Sequence, residues 1–151
     1  MPEGSAFGEP VVPPGDRESG THGPGRVLVA IYGTFALAAG ARAAVQIATR
    51  FDEAPVAYLL SALAAVVYLV ATIGLARGGA GGRRTALVAI TVELVGVLAV
   101  GTFSLTDRAA FPDATVWSVY GRGYGFIPLV LPLVGLWWLH RTGRAGRSPA
   151  R

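Results

Sequence analysis

The chain has 151 residues, of which 52% are apolar and only 15% charged, against roughly 25% charged in an ordinary soluble domain. It contains no cysteine, which excludes thiol redox chemistry, disulfides and Cys-ligated metals. Its formal charge of +4 sets 13 basic residues, all Arg, against nine acids, and most of the Arg sit at the ends of apolar blocks, where membrane topology explains them better than nucleic acid does.

In chain order, residues 1–25 hold five Pro and six Gly with four acids and one Arg, a composition that cannot bury enough apolar surface to order itself. A disordered tail is expected there; it opens acidic and lacks an early apolar run, so it does not read as a signal peptide. Apolar blocks follow at 27–48, 56–76 and 85–105, each long enough at ~1.5 Å per residue to cross a hydrocarbon layer about 30 Å thick. The stretch from Phe126 to Leu139 is too short alone. A fourth helix is therefore expected over 121–140, with Arg122 snorkelling to the interface and Pro128 and Pro132 inside it. Residues 141–151 form a basic tail. The fold class is all-α: a polytopic membrane protein, a four-transmembrane-helix bundle over 26–140 with a disordered N-terminal tail.

Arg26, Arg77, Arg83, Arg84, Arg141, Arg144, Arg147 and Arg151 fall on one side of the expected membrane. Arg50, Arg108 and Arg122 fall on the other, beside Asp52, Glu53, Asp107 and Asp113. The positive-inside rule then puts both termini and the middle loop in the cytoplasm. Heavy use of Ala, Gly, Val and Arg reads as the bias of a GC-rich bacterial genome, so the expected location is a bacterial plasma membrane. Small-residue stripes at Ala36, Gly40 and Ala44 and at Ala57, Ser61 and Ala65 are candidate helix contacts. The last external loop, 106–120, holds Phe111, Trp117 and Tyr120, with Tyr124 and Phe126 just beyond, and is read as a short interfacial helix that caps the bundle or as a substrate-binding lid.

Charged side chains within hydrocarbon are costly and point to function by default. Glu93 lies ~12 Å above the cytoplasmic end of the third helix, level with Tyr68 on the second and Thr34 on the first. These three form the first candidate site, read either as a carboxyl held by two hydroxyls or as a proton- or cation-coupled site. Arg42, Gln46 and Arg50 repeat every four residues and share a face leading to the outer surface. With Asp113 they form the second candidate, read as a salt-bridged polar seam or as an outward pocket for an anionic headgroup or a small anion, with Arg42 as the main donor. No metal site is expected, since the only histidines, His22 and His140, lie in the tail and at the inner interface. The Gly-rich run from Gly78 to Gly82 lacks the Lys and the strand of a phosphate loop and reads as a turn. No catalytic constellation is found, and no cofactor is expected.

The stretches TRFDEAPVAYLLSALAAVVYLVAT, beginning at Thr49, and FPDATVWSVYGRGYGFIPLVLP, beginning at Phe111, resemble a family of small, uncharacterised integral membrane proteins of actinobacteria. The resemblance runs from about Arg42 to Leu139 and implies four helices in the plasma membrane, with no catalytic residues to carry over. The leading expectation is a non-catalytic membrane subunit or scaffold. The alternative is a small oligomeric transporter or channel using Glu93 or Arg42. Expected partners are the lipid bilayer and either a larger membrane protein or further copies of the chain, with no nucleic acid.

Overall fold

The computed structural model describes residues 23–145, and among these it is all-helical, without strands. Helix α1 spans Gly23–Arg50, α2 Pro55–Arg77, α3 Gly79–Thr106 and α4 Ile127–Ala145, with a 3₁₀ turn at Phe51–Glu53 and a kinked segment at Ser118–Tyr124 whose residues 119–121 are not helical. Of the tails expected over 1–25 and 141–151, residues 1–22 and 146–151 lie outside the described residues, while residues 141–145 continue α4. Gly23, Pro24 and Gly25, expected in the tail, instead open α1. Pro24 fits there because the first turn needs no N–H from it and its fixed φ suits a helix start.

Helices α1, α2 and α3 are each long and apolar enough to cross a membrane. A fourth crossing exists if Ser118–Tyr124 and α4, bent by 99° to one another, count as one span. Large apolar side chains are exposed on every helix, among them Leu37, Leu63, Val88, Val95, Val130 and Leu133. A water-soluble monomer rarely shows so continuous an apolar surface, and lipid is the solvent that suits it.

Each helix lies against the next in antiparallel order, α1 on α2, α2 on α3 and α3 on α4. The loops 51–54 and 107–126 therefore share one end of the bundle, the loop end, and the Gly78 turn shares the other with the start of α1 and the end of α4. Of the expected stripes, Gly40 faces Ala65, where an added Cβ would lie 3.8 Å from the alanine methyl. Ala57 and Ser61 are buried, but Ala44 is exposed. The α2–α3 connection is a single residue, Gly78, at φ +60°, followed by Gly79 at φ +64°. Residues 79–82, expected in a turn, instead wind into the start of α3, because only one residue is needed to reverse the chain once glycine supplies the left-handed conformation.

The fourth helix departs most from expectation. It begins at Ile127 and not near Gly121, because Val119, Tyr120, Gly121, Gly125 and Phe126 all have positive φ, which no right-handed helix can include. Pro128 thus falls in the first turn of α4, where its missing N–H is harmless, while Pro132 sits inside a helix that continues through it. Both prolines are fully buried.

Candidate functional site

Glu93 sits on α3 with no solvent exposure. Its partner is Tyr32 of α1, whose hydroxyl donates to Oε2 at 2.7 Å. Tyr32 shares a buried face of α1 with Leu28, Ala39, Ala43 and Gln46. Gly135 of α4 makes room for it, since a Cβ there would stand 3.4 Å from the tyrosine oxygen and 3.0 Å from Ile90 Cδ1. Glu93 therefore ties α1 to α3 beneath α4. Its second oxygen, Oε1, has no hydrogen-bond partner among the described residues.

The expected trio of Glu93, Tyr68 and Thr34 is not assembled. Thr34 is exposed and donates back to the Ala30 carbonyl of its own helix at 2.8 Å. Two residues along a helix amount to about 200° of rotation, so Thr34 faces away from the side on which Tyr32 meets Glu93. Tyr68 is fully buried near Glu93, its ring 6.2 Å from that of Tyr32, but its hydroxyl accepts a bond from elsewhere.

That bond comes from Trp117, which leaves the loop end and enters the bundle. Its indole Nε1 donates to the Tyr68 hydroxyl at 3.0 Å, and only 2% of the residue is exposed. Gly96, one turn from Glu93 on α3, is the floor of this slot, since a Cβ there would lie 2.6 Å from the indole ring. The expected interfacial cap instead buries its centre, Trp117, inside the bundle. The left-handed residues beside it each cost about 1–3 kcal/mol and persist only where neighbours fix them. Ser104 does so by accepting the Val119 N–H at 2.9 Å, and Thr102 pairs with the Tyr120 hydroxyl at 3.0 Å.

The second candidate, the seam of Arg42, Gln46, Arg50 and Asp113, separates into four fates. Arg42 donates to the Tyr124 hydroxyl at 3.0 Å and to the Ala114 carbonyl at 3.1 Å, so it fastens the loop without a carboxylate. Asp113 accepts from the Tyr58 hydroxyl at 2.7 Å, tying the loop to α2. Gln46 is buried, with Oε1 lacking a partner. Arg50 is exposed and meets Glu53 at 3.8 Å, a surface pair of the kind worth little. For Arg42 and Asp113, phenols and a backbone carbonyl take the place of the expected ion pairs, since they are the groups the loop brings within reach.

Replacing Arg42 by Ala removes two charge-assisted bonds and is expected to loosen this loop by about 1.5–3 kcal/mol per bond at most. Limited trypsin digestion of the purified chain checks this. Cleavage after the exposed Arg108 should become much faster in Arg42→Ala, and an unchanged rate would mean that Arg42 does not hold the loop.

Tyr32, Trp117, Tyr58 and Tyr124 were not among the expected site residues. All four are aromatics with one polar atom, and such side chains seek a partner for that atom when buried. Chemically, the arrangement can hold helices and loop in register, and Glu93 could exchange a proton if water reached it. No three His, Cys, Asp or Glu side chains converge among the described residues. No protein-family model matches the chain, and no curated protein or solved structure does either.

Proposed function

We propose that the chain is a non-catalytic membrane subunit or scaffold: a four-transmembrane-helix bundle of the bacterial plasma membrane, with both termini cytoplasmic, built into a larger membrane assembly. What carries this reading is the use made of the two charged groups at membrane depth. Glu93 joins α1 to α3, and Arg42 joins α1 to the loop, so both serve the chain's own cohesion. Among the described residues, no three His, Cys, Asp or Glu side chains converge to hold a metal that would compete with this role. The cytoplasmic placement of the termini is supported by the Arg bias, with Arg26, Arg77, Arg83, Arg84, Arg141 and Arg144 at that end of the described bundle.

Purification of the tagged chain from native membranes in mild detergent, followed by mass spectrometry, tests the proposal. A larger membrane protein should be recovered with it in fixed ratio. Recovery of the chain alone, as a defined oligomer, would contradict the subunit reading.

A second reading, a small oligomeric transporter coupled to protons or cations, draws on one observation, the unpartnered Oε1 of Glu93. Under it, Glu93→Gln abolishes transport. Under the subunit reading, Glu93→Gln still assembles with the partner.

A further inference from the structure

Helices α1 and α4 diverge and leave between them an apolar groove of about 890 Å³, open along the side of the bundle. Val27 and Ile31 line one wall and Val130 and Val134 the other. Leu28 and Leu131, each 5% exposed, line its inner side. That volume falls in the range of about 300–1,000 Å³ typical of small-molecule sites.

The groove has two different ends. Towards the loop end it runs out at Phe35, Gly125 and Ile127. There Tyr124 closes the gap, its ring 5.9 Å from that of Phe35 and its hydroxyl held by Arg42. At the terminus end it opens beside Pro24, Trp137 and Trp138. Along α1, Pro24 to Phe35 covers ~17 Å at the helical rise. That is about one leaflet, half of a hydrocarbon core roughly 30 Å thick. A membrane-spanning helix needs the full thickness and would strike Tyr124. An acyl chain of one leaflet fits the length.

The open end is cationic. The Arg141 guanidinium lies 4.5 Å over the Trp137 ring, on the wall of the groove, and Arg26 and Arg144 are exposed nearby in sequence on the same two helices. No Asp or Glu among the described residues lies at this end of the bundle. An Arg braced on an aromatic ring at the headgroup level is suited to a phosphate, which its planar fork can bind through two N–H groups.

We propose that the α1–α4 groove holds one acyl chain of an anionic phospholipid whose phosphate is bound by Arg141. The inference rests on the membrane placement of the bundle and not on its role as a subunit, so the two can fail separately.

The test is native mass spectrometry of the full chain in mild detergent, with dioleoyl-phosphatidylglycerol or dioleoyl-phosphatidylcholine added at equal concentration. One phosphatidylglycerol should be retained per chain, favoured about five-fold over phosphatidylcholine for one Arg at the surface. Arg141→Gln should remove that preference. Thr34→Trp and Val130→Trp, at exposed positions on opposite walls, should fill the groove and lose the bound lipid, with circular dichroism confirming that each is folded. Equal retention of the two lipids by the wild-type chain would overturn the proposal, as would retention of phosphatidylglycerol by either folded Trp variant.

Discussion

Trp117→Ala is expected to destabilise the chain by about 3–5 kcal/mol, the scale of removing a large buried aromatic. Three losses combine. The indole vacates a slot shaped for it between Gly96 and Tyr68, the Tyr68 hydroxyl loses its donor, and the left-handed run at Val119 and Tyr120 loses an anchor. Trp117→Phe keeps much of the volume and forfeits the hydrogen bond, so its cost should be nearer 1 kcal/mol. Gly96→Ala attacks the same contact from the other side, because the new methyl would meet the indole at 2.6 Å. Unfolding of the purified variants in mixed micelles, followed by circular dichroism, reads all three. A Trp117→Ala midpoint equal to that of the wild type would mean that the loop is not seated in the bundle.

Gly74→Leu is expected to separate α2 from α3 at the Gly78 turn. A Cβ at residue 74 would stand 2.7 Å from the Ala86 nitrogen and 2.9 Å from the Gly82 carbonyl oxygen. Both are main-chain atoms, so no rotamer change can relieve the contact. Overfilling a close contact costs about 1–3 kcal/mol, and more when backbone must move. The same micelle titration should show a large drop in midpoint for Gly74→Leu. The same substitution at Gly81, where nothing lies within 4 Å of an added Cβ, should be nearly silent.

Much of the fold could be read from the order of residues, for a plain reason. In lipid the backbone must satisfy itself, so an apolar run of about 20 residues has few options besides a helix. The blocks at 27–48, 56–76 and 85–105 accordingly lie within α1, α2 and α3. The stretch from Gly121 to Phe126 misled because its conformation is imposed from outside. Just before it, Val119 is among the residues least suited to positive φ, and nothing local announces that Ser104 holds it there.

The site was legible in depth but not in azimuth. Counting residues along helices placed Glu93, Tyr68 and Thr34 at one level, and the Tyr68 ring lies 6.2 Å from that of Tyr32, the partner of Glu93. Choosing between Thr34 and Tyr32 required knowing which face of α1 turns inward. The series Leu28, Tyr32, Ala39, Ala43 and Gln46 marks that face, and Thr34 lies off it. For Arg42 the error was chemical. Nearby acids were the natural candidates by charge, whereas the loop path offered a carbonyl and a phenol.

If Glu93 serves as a fastener, its carboxyl is sealed inside the bundle and lines no path for ions. The chain lacks cysteine, so a single introduced thiol is an unambiguous probe. Glu93→Cys and, one turn further, Val97→Cys would be treated in membranes with a small, charged, thiol-reactive reagent applied from each side, with Ala114→Cys in the exposed loop as the positive control. Sealing requires rapid modification at 114 and none at 93 or 97 from either side. Modification at 93 and 97 from one or both sides would reveal a water-filled route to the carboxyl, contradict the fastener role and favour the transporter reading.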